Sequence, residues 1–257
     1  MKKGIIATLL AGLVLAGCAS TTSGGLVGVN RAQFTMVPEA AVNQSAAEGY
    51  AQLITASKQE RKLDQSAQAK RVNRIFNRLL PHTTKFRSDA LKYDWEINVI
   101  KSDDVNAFAM PGGKMVVYTG IIDQLKLTDD ELAAIIGHEM AHVLREHSRE
   151  KVSQEMAKST GITLIAAIVG LDQGAEDLIQ QAGQVAFSLP FSRKMETEAD
   201  LIGLELMANA GYNPEAAVTL WKKMAQLSGS SNVDFLSTHP ASTKRISSLE
   251  AQLSKFR

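Results

Sequence analysis

His138, Glu139 and His142 stand in the pattern His-Glu-x-x-His, inside the apolar run Leu132-Ala133-Ala134-Ile135-Ile136-Gly137-His138-Glu139-Met140-Ala141-His142-Val143-Leu144. Thr128, followed three residues later by Glu131, reads as a capping box, so a helix starts near residue 129. Residues four apart on a helix share one face, and both imidazoles can then point at one metal ion. Glu139 sits one residue on from His138, where its carboxylate reaches a water on that metal but not easily the metal itself. Two imidazoles on a zinc ion with a carboxylate beside them make a site for activating water. The plainer reading is an exposed turn with two surface histidines. Against it, the segment is apolar wherever the motif does not need polarity.

Such a zinc needs three protein ligands and an open position. Glu196-Thr197-Glu198-Ala199-Asp200 opens a second helical stretch, Glu196 to Asn209. Glu196 and Asp200 share a face, and Glu198 points elsewhere. A Glu ligand with an Asp one turn later makes chemical sense, because the Asp can accept the outer N–H of a ligating His and fix its tautomer. The face argument alone does not choose Glu196 over Glu198. An acidic first turn favoured by the helix dipole is the alternative.

Together with Asn106-Ala107-Phe108-Ala109-Met110-Pro111-Gly112-Gly113, these motifs resemble the zinc metallopeptidase family of HtpX and the CAAX prenyl protease, metallopeptidase family forty-eight. The small periplasmic lipoprotein members are the most similar in kind, and the resemblance covers about residues 40 to 257. It implies a zinc metalloendopeptidase with one Zn2+ per chain, held by His138, His142 and Glu196, with Glu139 as the catalytic base. It also singles out His239-Pro240, six residues before Arg245. His239 has three open roles: donor to the oxyanion, occupant of the open zinc position in a resting state, or cap of the last helix. Arg245 could pair with Asp200, reach a substrate carbonyl, or be a surface helix charge.

The fold expected around this site is α+β: a mostly helical, zincin-like domain with a small antiparallel or mixed sheet beside the metal-binding helix. Pro38 to Leu80 reads as helical with a lapse near 57 to 66. Its Lys/Arg set at 58, 61, 62, 70, 71, 74 and 78 reads as a solvated face, with a membrane- or partner-facing role as the alternative. Tyr93 to Lys101, Val105 to Ala109 and Lys114 to Thr119 read as strands, with Pro111-Gly112-Gly113 as a turn. Asn106, Ala107, Phe108 and Ala109 form the candidate edge on which a peptide substrate adds as a further strand, and Asn106 offers a contact to a substrate carbonyl. A hairpin that only packs is the alternative. His147, five residues after His142, projects about 140° off the ligand face and reads as a surface residue. His82 gets the same reading. Gly161 to Leu171 is strongly apolar and too short to span a bilayer, hence a buried or lid helix or an interfacial surface. Glu176 to Ser188 reads as helical.

Residues 1–17 read as a lipoprotein signal peptide: basic Met1-Lys2-Lys3, an apolar stretch from Gly4 to Ala16, then Leu15-Ala16-Gly17-Cys18. Cys18, the single cysteine, becomes a lipidated N-terminus on this reading, and Ala19 after it suggests the outer membrane, periplasmic side. Residues 18–37, rich in Ser, Thr and Gly, read as a lipid-anchored flexible tether, and 38–257 as one metallopeptidase domain. A net charge of +1 argues against a nucleic-acid partner. The expected partners are the membrane, through the lipid, and unfolded or misassembled envelope proteins as substrates. The rival reading is a tethered chaperone or assembly factor for outer-membrane proteins with a gated, mostly inactive zinc site. A zinc hydrolase of non-peptide bonds is a third reading, against which stands the strand-like edge.

Overall fold

The computed structural model describes residues 18–160, 190–227 and 233–256. The expected signal peptide and the apolar segment from Gly161, with the helix expected over 176–188, lie outside the described residues. Two short strands come first, β1 (Cys18–Ala19) and β2 (Gln33–Phe34), antiparallel. Two helices follow, α1 (Glu39–Gln59) and α2 (Ala67–Leu79), separated where the apolar pattern lapses. Then come β3 (Glu96–Ile100), β4 (Ala107–Met110) and β5 (Lys114–Tyr118), and a short helix α3 (Thr119–Gln124). The remaining helices are α4 (Asp129–Leu144), α5 (His147–Thr160), α6 (Arg193–Asn209), α7 (Glu215–Gln226), α8 (Asp234–Thr238) and α9 (Thr243–Gln252). No helix among the described residues is long and apolar enough to cross a membrane.

The sheet is small and mixed, in the order β3-β5-β4. β5 lies between a parallel partner, with Glu96 opposite Lys114, and an antiparallel one, with Ala107 opposite Val117. The segment expected to be a substrate edge is therefore an edge strand. The turn into β5 passes through Gly113 at φ 93°, where a Cβ would meet the Trp95 ring at 2.7 Å.

α4 is buried on every side, not along one stripe, because it lies between α6, α7, α2 and β4. Thr128 caps it with Glu131 in the reciprocal manner the sequence predicts, Thr128 N–H donating to Glu131 Oε2 at 3.0 Å. Arg71 and Arg74 of α2 bind Asp129 at 2.5 and 3.2 Å, so part of the expected solvated face in fact holds the start of the metal helix. α4 and α6 cross at a pair of glycines. A Cβ on Gly203 would stand 2.8 Å from His138 N and 2.9 Å from Gly137 C. Bare backbone at the crossing lets Glu196 approach the two histidines of α4.

The expected flexible tether is the main correction to the fold. Val27, Val29, Gln33, Thr35 and Val37 are buried, and Ser23 N–H donates to Phe86 O at 2.7 Å. Gln33 donates to Arg145 O at 2.5 Å and to Glu150 at 2.9 Å. The segment is a strap, not a tether. Its composition stays polar because buried hydrogen bonds and ion pairs anchor it alongside the core side chains Val27, Val29 and Val37.

Candidate metal centre

His138 and His142 project from one face of α4, with their Nε2 atoms 3.1 Å apart. α6 starts at its cap, Ser192, and presents Glu196 in its first turn. Glu196 Oε1 lies 3.4 Å from His142 Nε2, and Oε2 lies 3.5 Å from His138 Nε2. His239, at the end of α8, brings Nδ1 to 3.0 Å from Glu196 Oε1 and 3.3 Å from His138 Nε2. One donor atom from each of these four buried residues falls within 4.8 Å of every other. Phe235 stacks on His239, with ring centroids 4.6 Å apart, and holds it in place.

A second layer supports the first. His138 Nδ1 faces Asp200 Oδ1 at 3.0 Å. Arg245 donates from Nε and Nη2 to the two Asp200 oxygens at 2.6 and 2.7 Å, and its Nη1 lies 2.7 Å from Glu196 Oε2. Trp221 Nε1–H also donates to Asp200, at 3.1 Å, and the Arg245 guanidinium stacks 3.5 Å from the Trp221 ring centroid. Of the roles open to Arg245, the structure has it paired with Asp200 at 2% exposure rather than on the surface. Burial opposes charge on Asp200 and Glu196, but their cationic neighbours outweigh it and hold both below the usual carboxylate range. Burial likewise opposes charge on His138, yet Asp200 and Glu196 raise it to about 9, while burial keeps His142 far below the usual value.

Glu139 sits beside the donors without joining them. Its Oε2 accepts Ala109 N–H of β4 at 2.9 Å, and its Oε1 lies 3.5 Å from His239 Nε2. Burial pushes its carboxyl above the usual range, against the pull of His239 and His138. Asn106, Phe108, Ala109, Met110, Phe191 and Lys151 are among the residues lining a cleft of about 290 Å³ that opens onto Glu139 and His239. Ala107 does not line it, because its side chain packs in the core.

One group departs from the sequence reading, and another shows a role it did not assign. His147 is fully buried, not a surface residue, with Nδ1 3.0 Å from His142 Nδ1 and Nε2 3.1 Å from Glu198 Oε2. The helical projection fails because α4 stops at Leu144 and the chain turns through Glu146 at φ 49°. Glu198 does point away from the donors, but into a buried network with Arg145, at 3.3 Å, and Arg31 of the strap. The residue types offered a clue: a buried carboxylate needs cations, and His147 and Arg145 flank the turn.

Burial alone would raise Glu198, but His147 and Arg31, then Arg145, outweigh it and hold its carboxyl at about 2. A folded value below the unfolded ~4.3 means that the charge stabilises the fold fully above ~4.3 and ceases to as pH falls through about 2. Glu198→Gln is therefore expected to lower unfolding free energy by about 3 kcal/mol at neutral pH, with that gap shrinking to roughly half by pH 3. Urea midpoints of both proteins across that range check it, and a gap that does not change with pH contradicts it.

Residues 66–253 match the family described as peptidase family M48. The chain is similar to the mitochondrial metalloendopeptidase OMA1 of Schizosaccharomyces pombe, 39% identical over 209 residues that cover 76% of this chain and 61% of the relative. OMA1 of Arabidopsis thaliana is 42% identical over 151 residues, 59% of this chain and 30% of the relative. Metalloprotease LoiP of Escherichia coli is 28% identical over 256 residues, 98% of this chain and 97% of the relative. The chain thus spans less than two thirds of the length of these OMA1 relatives. The family match takes in every member of the donor cluster and both of its supports, Asp200 and Arg245, and stops short of the N-terminal strap. By that match the chain belongs to peptidase family M48.

Proposed function

We propose that the protein is a zinc metalloendopeptidase of the bacterial envelope. One observation carries the reading: three imidazoles and a carboxylate converge on a common point beside a buried, unliganded glutamate. The donor set suits zinc. Nitrogen and oxygen ligands about 2.0–2.1 Å from a tetrahedral zinc stand about 3.3 Å from one another. The five pairs given above, counting either oxygen of Glu196, run from 3.0 to 3.5 Å, within a cluster whose donors all lie within 4.8 Å. Glu139 Oε1 is buried without a hydrogen bond, a costly state unless a water completes it, and Glu196 Oε2, equally buried, has the charge of Arg245 Nη1 2.7 Å away.

His138, His142 and Glu196 would hold the ion. When bound, zinc polarises a carbonyl and acidifies water. The chain's own residues do the rest. Glu139, fixed by the Ala109 N–H, takes the proton of the attacking water and passes it to the leaving amine. A carboxyl raised by burial suits both halves of that task. The substrate runs along β4 in the cleft, and Asn106 supplies a side-chain contact to its backbone.

His239 stands where the open position should be, which favours a gated site and gives weight to the assembly-factor reading. In that view the cleft binds an unfolded client and the site stays shut until His239 leaves. His239→Ala is expected to keep the metal and raise cleavage of an unfolded model protein. If that variant stays metal-replete and cleaves nothing, peptide hydrolysis gives way to the assembly-factor reading.

The reading of unfolded or misassembled envelope proteins as substrates is supported by Phe108, Met110 and Phe191 in the cleft and by the N-terminal signal of the sequence. Cys18 is the proposed lipid site, with the outer membrane as destination. Since the strap packs from residue 20 onward, a lipid there holds the domain close against the bilayer. Cys18→Ser is expected to abolish palmitate incorporation and release the protein from the membrane fraction; a labelled variant contradicts the assignment.

A further inference from the structure

His142 turns Nε2 toward the donor cluster and leaves Nδ1 on the far side, 3.0 Å from His147 Nδ1. His147 in turn meets Glu198 Oε2 at 3.1 Å through Nε2. An ionised carboxylate only accepts, so the proton between these two belongs to His147 Nε2. A neutral imidazole carries one proton, and His147 Nδ1 must then be an acceptor. The remaining proton in the chain is on His142 Nδ1, which leaves the His142 Nε2 lone pair free for a cation. Glu198 thus sets the direction of the whole row.

We propose that His147 is a positioning residue for the metal ligand His142, oriented by Glu198 and completed by Arg31 of the N-terminal strap. The inference rests on the metal centre proposed above. His138 has its supporting carboxylate directly, in Asp200, whereas His142 reaches its own through a second imidazole. Supports of this kind set ligand tautomer and basicity, and losing one typically weakens metal binding 10–100-fold. Glu198 is itself held by Arg145, at 3.3 Å, and by Arg31, which also binds Glu150 through two hydrogen bonds of 2.6 and 2.7 Å. The strap is in this way wired through Glu198 and His147 to the ligand His142.

Zinc affinity of the full-length protein, measured by competition with a chromophoric chelator, separates positioning from packing. His147→Leu fills the volume without an acceptor, and His147→Asn puts an amide oxygen where Nδ1 was. Positioning predicts that Leu weakens zinc binding 10–100-fold and that Asn stays within about threefold of the native protein. Native affinity in a folded Leu variant, or an Asn variant as weak as Leu, overturns the proposal. The native protein gives a second readout that no folding failure touches: two-bond 1H–15N spectra of the zinc-loaded form. They are expected to report His147 as the Nε2–H tautomer and His142 as the Nδ1–H tautomer, and a proton on His147 Nδ1 overturns the relay. If the native protein takes up no zinc, the metal centre itself is wrong, which is a different failure.

Discussion

Glu139→Gln is expected to bind metal like the native protein and to lose hydrolysis by about 10²–10⁴-fold or more. The amide has the shape of the carboxylate and can still accept the Ala109 N–H through its oxygen, so the cleft and the donor cluster keep their form. What it cannot do is take a proton from water. The native carboxyl is raised by burial, with His239 and His138 opposing, so it both accepts a proton and releases it again. Initial rates on an unfolded substrate, with metal content measured on the same samples, check the prediction. Turnover in a metal-replete variant would remove Glu139 from the chemistry.

Arg245→Met is expected to lower the stability of the metal-free protein by about 3–5 kcal/mol, the usual result of stripping one partner from a buried ion group. Arg245 is the guanidinium between Asp200 and Glu196, all three nearly inaccessible. Methionine replaces its bulk over Trp221 but leaves two carboxylates without that charge. A divalent cation on the donor cluster supplies positive charge to the same place. Saturating zinc should therefore raise the thermal midpoint of the variant by more than that of the native protein. Equal stability without metal, or an equal rise with it, contradicts this division of labour.

The metal helix was legible in the sequence because every part of it is local. The cap at Thr128, the apolar run and the four-residue spacing of the histidines all act within one helix. The strands were legible for the same reason, and the turn through Gly112 and Gly113 marked the edge strand. Glu196 was found only with the family resemblance, since helical spacing leaves Glu196 and Glu198 equally available. The structure separates them by what each meets: Glu196 the histidines of α4, Glu198 the arginines behind them. His147 was misread because a positive-φ residue, Glu146, breaks the helix on which the projection relied. The strap was misread because hydrophobic pattern does not register a segment held by Arg31 and Gln33. Arg31 meets Glu198, 167 residues on, and Gln33 meets Arg145, 112 residues on, and nothing local announces either contact.

Metal-dependent peptide hydrolysis at His138, His142, Glu196 and Glu139 is the proposed activity. Its most direct test is cleavage of an unfolded model protein by the purified full-length chain, with bound zinc determined on the same sample and Glu139→Gln alongside. About one zinc per chain is expected, with product peptides from the native protein that vanish on chelation and return with zinc, and none from the variant. A folded protein that takes up no zinc, or a variant that cleaves as fast as the native chain, would contradict it.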